Sequence, residues 1–301
     1  MYMKNKDWIL VILLGLFWGS SFFFVEMLLK YLSPFMIVYL RVSIASIFLI
    51  VFIIIRGTKF KLSLKNLFNL FIMSLLNNIF PFLLITFGQQ TTTGGLASIL
   101  NANTSFIGIL LASLFLPLER LNFYRLIGVS IGVLGVIIAI GYQNIIQLND
   151  DDLGKYLILI ATLSYGFAGV WGKLKLQNFT PIIAATGMLT MSTIILTPYA
   201  FTMHLEEIYS LNFFILKYAF VFAIICSVFA YFLYFKILES AGAGNLLICT
   251  IIIPPSSIFL NAFILDQIIT FNECLGLIII ILGLIILDGR LINKHTPTPQ
   301  K

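Results

Sequence analysis

LGLIIIILGLIIL, residues 275–287, carries no charge and shows no alternation of apolar with polar side chains. A membrane β-strand would alternate over about ten positions, so the run reads as a helix. It is one of a series. Between Asn66 and Leu118 there is no Asp, Glu, Lys, Arg or His, and the 301-residue chain is 60% hydrophobic and only 10% charged. The mean hydropathy is +1.06, whereas soluble domains carry about a quarter charged residues. Several runs reach the roughly 18 to 20 residues that a helix needs to cross hydrocarbon. The fold class that follows is an all-α integral membrane protein.

Breaking the chain at charges, prolines and glycines gives ten transmembrane helices, at 8–29, 34–55, 66–88, 94–117, 122–142, 155–176, 181–203, 213–237, 242–264 and 270–289. The first run follows Lys4 and Lys6 but holds Trp18 and Glu26, lacks an A-x-A-like site and leads at once into another span. It therefore reads as a retained helix and not as a cleaved signal. With the N-terminus inside, most of the Lys and Arg residues fall on the cytoplasmic side, among them Arg56, Lys59, Lys61, Lys65, Arg120, Arg125, Lys173, Lys175 and Lys236. The other side receives Lys30, Lys155 and Lys217 with Asp150, Asp151, Asp152, Glu206 and Glu207. This asymmetry follows the positive-inside rule and places both termini in the cytoplasm of a multi-pass cell (inner) membrane protein. The net charge of +6 thus marks topology, and no nucleic-acid partner is expected. Cys226, Cys249 and Cys274 lie in apolar runs and are odd in number, so they are read as structural thiols.

The two halves of the chain align with each other. Pro34 in LSPF and Pro181 in FTPI are 147 positions apart, as are Glu119 in LER and Asp266 in LDQ. The stripe Gly15, Gly19, Phe22, Glu26 maps by the same shift onto Thr162, Gly166, Gly169, Lys173. After one inserted residue GVLGVII (132–138) matches IILGLII (280–286). Five spans per half is an odd number, so the second half sits upside down relative to the first. The expected domains are two inverted five-helix repeats, 8–142 and 155–289, followed by a cytoplasmic tail, 290–301. An inverted repeat points to transport more than to catalysis.

FWGSSF (17–22), LSPFMIVYLRVSIA (32–45), TTTGGLASILNANTSFIGILLASLFLPLERL (91–121) and AYFLYFKILESAGAGNLL (230–247) occur in an order that resembles the EamA-type transporters of the drug/metabolite transporter superfamily, over about residues 8–289. The resemblance implies ten helices around a central cavity between the halves, and the export or exchange of small metabolites. Two departures stand out. The proline common in the middle of the family's fourth helix is replaced around Ser105, and Glu26 stands where many relatives carry a lysine.

QQTTTGG (89–95) reads as the hairpin ahead of the fourth helix, after which Gly94, Ser98, Asn101, Ser105, Gly108 and Ala112 share one face. Asn101 does not belong against lipid. The face is read as a cavity wall offering amides and hydroxyls, the alternative being a small-residue packing seam. In the ninth span Thr250, Pro254, Ser257 and Asn261 repeat the spacing, and proline there frees a carbonyl that a wet cavity can satisfy. The candidate substrate-binding residues are Trp18, Ser98, Asn101, Ser105, Tyr165, Thr250, Ser257 and Asn261, with Trp18 and Tyr165 matched by the repeat as aromatic walls. Glu26 and Arg41 are the only ionisable side chains well inside the first two helices. Their depths differ by about three residues, or about 4.5 Å, so an ion pair is expected, acting as a hairpin lock or, through Glu26, in proton coupling. Gly128, Gly132 and Gly135 are read as an internal packing face, with a homodimer seam as the alternative.

There is no GxxxxGK[ST] loop for ATP, and no cofactor or metal is expected. An intramembrane enzyme is a poor alternative, because His204 and His295, the two histidines, lie at a span end and in the tail. A flippase-like carrier of lipid-linked groups stays open. The leading expectation is a secondary transporter whose midplane cavity binds small metabolites such as amino acids and alternates in access between the two sides.

Overall fold

The computed structural model describes residues 5–58, 63–117, 123–141, 153–240 and 249–288. Glu119, Asp150 to Asp152, His295 and the 290–301 tail lie outside them. Among the described residues every regular element is a helix. These are α1 (Asn5–Leu28), α2 (Pro34–Ile55), α3 (Leu64–Gly88), α4 (Gly94–Phe115), α5 (Phe123–Ile140), α6 (Leu153–Lys175), α7 (Pro181–Met203), α8 (from Phe213 to Ser240), α9 (Cys249–Leu265) and α10 (Phe271–Asp288). Eight are long and apolar enough to cross a membrane; α9 and α10 are apolar but shorter over their described lengths.

Local chemistry sets the helix starts. Ser33 Oγ accepts from Met36 N with Pro34 next to it, Thr93 Oγ1 accepts from Leu96 N, and Asn212 Oδ1 accepts from Ile215 N. Each cap satisfies one of the N–H groups that a helix N-terminus leaves without a partner. At α10 the capping is reciprocal: Thr270 N donates to Glu273 Oε2 at 2.8 Å and Glu273 N to Thr270 Oγ1 at 3.2 Å. Asp266, which ends α9, adopts a left-handed φ of 53°.

The outside of the bundle is apolar, with Ile55, Leu64, Leu114, Phe123, Phe213 and Phe263 among its exposed side chains. The polar side chains Ser74, Asn78, Ser98, Thr162, Ser192 and Ser257 are fully buried. This inversion suits hydrocarbon surroundings, where polar groups must find partners within the protein. In α7, Thr186, Thr190, Ser192, Thr193 and Thr197 each donate to the carbonyl four residues back.

Helix pairing follows a pseudo-twofold. α1 packs on α9 as α6 packs on α4, and α8 lies against α1 as α3 lies against α6; α2 meets α7 and α5 meets α10. Exchanging the first five helices for the last five leaves this pattern unchanged. The α5–α10 pair is a glycine seam. A Cβ on Gly135 would stand 2.7 Å from the Ile280 side chain and 2.9 Å from Gly276 O, and one on Gly283 would stand 2.8 Å from Gly132 N. The Gly135 face is therefore filled by α10 of the same chain, whereas a Cβ on Gly132 would run into the Phe106 ring of α4. Gly135→Val should lower stability by about 1–3 kcal/mol through overpacking, read as a reduced unfolding temperature in detergent.

The turns after α1, α3, α7 and α9 gather at one end of the bundle, here called the upper end. There Ser33 N donates to Glu207 Oε2 at 2.9 Å, and His204 Nδ1 lies 2.7 Å from Glu207 Oε1. Burial alone would raise the Glu207 carboxyl, but the bonds from Ser33 N and from the His204 and Ser33 side chains outweigh it and hold the group below the ordinary range. The stability this supplies is full above about pH 4.3, the ordinary glutamate value, and is lost as the pH falls through the lower folded value. Glu207→Gln should therefore flatten the acid side of an unfolding-temperature profile against pH.

Candidate substrate site

Two of the helices carry a π-helical turn, Leu75–Ile79 in α3 and Ile224–Phe229 in α8, with starts 149 positions apart. They occupy the same place in the two repeats. A π-turn displaces carbonyls from the regular ladder and is frequent at functional sites. Both turns are used here. Leu76 O accepts Ser164 Oγ at 2.7 Å, and Cys226 O accepts Arg41 NH2 at 3.4 Å.

Arg41, two turns into α2, reaches α8, where its Nε donates to Ser227 Oγ at 3.1 Å. Its guanidinium carbon lies 3.9 Å from the centroid of the Phe82 ring and 4.7 Å from that of Phe222. Such cation–π contacts stabilise a cation removed from water. Tyr165 of α6 and Tyr231 of α8 lie near this charge. Tyr231 shares a side-chain hydrogen bond with Asn77 of the α3 π-turn, and Ser20 Oγ of α1 contacts Cys226 Sγ at 3.4 Å. Tyr165 and Tyr231 lie deep in the bundle, and both keep some accessible surface, as do Arg41, Asn77 and Ser20. Five helices from both repeats meet here. Trp18 stands at the edge of this cluster, half-buried, with its ring centroid 6.0 Å from that of Tyr234.

The expected Glu26–Arg41 ion pair does not form. The Glu26 carboxylate accepts from Gly94 N at 2.6 Å and from Gln267 Nε2, while Arg41 turns to α3 and α8. Depth along two helices fixes height but not rotation, and these side chains leave their helices in different directions. Arg41 has no carboxylate partner among the described residues.

The α4 stripe is also divided. The helix breaks at Ala102 and Asn103, where Ala102 N bonds Ile99 O and Asn103 N bonds Leu100 O, both spanning three residues. Above the break, Ser98 is fully buried and donates to Gly95 O of its own helix. On α9, Ser257 donates to Gly94 O at 3.0 Å and Asn261 Nδ2 donates to Ser257 O at 2.8 Å. Ser98, Ser257 and Asn261 thus belong to a closed seam of α4 and α9, not to an open wall, because small residues bring the two backbones together. At the break, Asn101 Oδ1, Asn103 Oδ1 and Thr104 Oγ1 are buried with no hydrogen-bond partner. Asn103 Nδ2 reaches Thr162 Oγ1 of α6 at 3.5 Å, and Thr162 is one turn from Tyr165 on the same helix face. Ser105 and Thr250 are half-buried. The break, the Tyr165 face of α6 and the Arg41 cluster therefore follow one another across the centre of the bundle. The sequence signals for the missed members are the Asn77-Asn78 and Cys226-Ser227 pairs inside apolar spans.

Comparison with known proteins decides what this arrangement belongs to. The pattern of the EamA-like transporter family matches residues 6–141 and again residues 152–287. The chain belongs to the EamA-like transporter family. This EamA protein is 24% identical to the Bacillus subtilis protein named "Uncharacterized transporter YoaV" over 285 residues, covering 91% of this chain and 94% of that one. An Archaeoglobus fulgidus protein named "Uncharacterized transporter" is 25% identical over 289 residues, 93% of this chain and 98% of its own length. Escherichia coli K12 "Uncharacterized inner membrane transporter YedA" is 31% identical over 166 residues, 53% of this chain and 50% of that one. A solved crystal structure of a protein 13% identical in sequence superposes with a TM-score of 0.63 over 95% of this chain and 99% of its own, which speaks for the fold alone. The protein is a multi-pass membrane transporter of the EamA kind.

Proposed function

We propose that this EamA transporter carries small zwitterionic metabolites such as amino acids across the cell membrane by alternating access. The observation that carries the reading is Arg41, a guanidinium deep in the bundle between aromatic rings, with no carboxylate partner among the described residues. A buried charge in a membrane protein is expensive and ordinarily faces a partner or a transported group. The N–H groups of Arg41 that Ser227 and Cys226 do not use suit a carboxylate, which accepts the planar fork in two bonds. The orphaned oxygens of Asn101, Asn103 and Thr104 suit the opposite end of such a molecule, an ammonium rich in N–H donors. Trp18, Tyr165 and Tyr231 supply aromatic surface between the two.

In this reading α9 and α10 cross the membrane with the other eight helices, and the seam of α4, α9 and α1 is the closed upper gate. Both termini lie in the cytoplasm, which the Lys and Arg asymmetry supports. In a cysteine-free protein, a single cysteine at exposed Ser210 should react with an impermeant thiol reagent from outside, and one at exposed Lys175 only from inside; labelling of Lys175 in intact cells would reverse the orientation. The function is tested by counterflow in vesicles with a panel of labelled neutral L-amino acids, organic anions and cations. Exchange is expected for the amino acids, and selective exchange of cations would refute the assignment.

A further inference from the structure

The upper gate converges on one carboxylate. Glu26 Oε2, from α1, takes the Gly94 N–H that opens α4, and Glu26 Oε1 takes the Gln267 amide from the α9–α10 turn. The left-handed Asp266 directs that turn back toward α1, and Gln267 N donates to Asn261 O at 3.3 Å. Asn261 is 1% exposed. Its Nδ2 gives hydrogen bonds to Ser257 O and Ser257 Oγ, while its Oδ1 has no donor. Asn261 Oδ1 and Glu26 Oε2 both lie within 2.9 Å of the point a Cβ on Gly94 would occupy. Only a glycine leaves this room.

A buried acceptor without a donor is unfavourable and calls for an explanation. The neighbouring N–H groups of Gly94 and Gln267 already serve Glu26. A metal cation would meet the Gly94 N–H and the positive end of the α4 dipole. A proton on Glu26 meets neither objection, since the neutral acid offers an O–H to Asn261 Oδ1. A cleft lined by Thr93, Ile258, Asn261, Gln267 and Glu273 runs beside the pair.

We infer that Glu26 and Asn261 form a proton-binding site that couples this transporter to a proton gradient. The inference rests on the carrier reading above. One proton passes from upper-side water to the Glu26 carboxylate, and the resulting O–H donates to Asn261 Oδ1. With its charge gone, the carboxyl holds Gly94 N–H and Gln267 less firmly, and α1 separates from α4 and the α9–α10 turn. When the site faces the other side, the proton returns to water there. The charged groups around Glu26 are Lys30, in the turn just after α1, with exposed Asp266 at the end of α9 and Glu273 on α10, whose Oε2 accepts from Thr270 N. The upper parts of α3, α4 and α9 present no other titratable side chain.

Two measurements test the site. Infrared difference spectra of wild-type protein in vesicles, taken between about pH 8 and pH 5, should show a carboxylic-acid C=O band that disappears in Glu26→Gln and shifts in Asn261→Leu. In parallel, vesicles are assayed with labelled neutral L-amino acids for exchange without a gradient and for accumulation driven by a pH difference. Glu26→Gln should retain exchange and lose accumulation by about tenfold or more. A wild-type spectrum without a titrating band, or a band untouched by Glu26→Gln, overturns the proton site. Exchange in the wild type that a pH gradient does not drive overturns the coupling while leaving the carrier intact. Absence of any flux refutes the carrier reading for these substrates, and the infrared band still decides the proton site.

Discussion

Arg41→Gln is expected to lower the flux of zwitterionic substrates by about 10- to 100-fold. Hydrogen bonds to a charged group contribute about 1.5–3 kcal/mol, and about 1.4 kcal/mol is one decade. The bond from Nε to Ser227 and the rings of Phe82 and Phe222 already hold the guanidinium, so its remaining N–H groups are oriented before substrate arrives. Arg41→Lys keeps the charge but loses the planar fork and should recover only part of the rate. Gln leaves no unpaired charge in the bundle, so the unfolding temperature in detergent should fall little. Flux and unfolding measured on the same preparation separate these effects; a large loss of stability with normal flux per folded molecule would make Arg41 a structural tie between α2 and α8.

Asn101→Leu is expected to reduce transport by about tenfold. Its Oδ1 lies buried without a donor at the α4 break, and a hydrogen bond supplied by substrate would be worth roughly 1 to 3 kcal/mol in a dry site. Leu matches Asn in shape, so removing an oxygen that no protein group satisfies should leave stability unchanged or raise it slightly. Ser98→Ala is the contrasting change. Ser98 donates to its own helix and is sealed in the α4–α9 seam, so its loss should leave substrate flux near wild type. Normal flux in Asn101→Leu would assign the whole α4 face to packing.

The helices were largely legible in the sequence because hydropathy and caps act locally. The expected 34–55 and 181–203 coincide with α2 and α7, each opened by a Ser-Pro or Thr-Pro pair. The repeat was legible too, since paired prolines and glycines mark equivalent turns and seams. What escaped were features set by hydrogen-bond register. LLNNI and IICSVF hold no proline or glycine, yet both wind as π-turns and supply the centre of the site. Prolines misled in the opposite sense. α9 runs unbroken through Pro254 and Pro255, whereas α4 breaks without any proline, beside Asn101, Asn103 and Thr104, whose side chains compete with helical backbone bonds. The cavity stripe assumed an uninterrupted α4, and so joined residues of a closed seam to residues at the break. Glu26 and Arg41, the two charges expected inside the first hairpin, are each half-buried, but their partners depended on helix rotation, which no linear spacing encodes.

Recognition of a carboxylate by Arg41 is tested most directly by ligand-induced stabilisation. Unfolding temperatures of wild-type protein and Arg41→Gln are measured with a neutral L-amino acid that the wild type exchanges, with its amide, and with the amine lacking the carboxyl group. The account predicts that only the amino acid raises the wild-type unfolding temperature strongly, and that Arg41→Gln abolishes this preference. Equal stabilisation by the amine, or an undiminished response to the amino acid in Arg41→Gln, would contradict it.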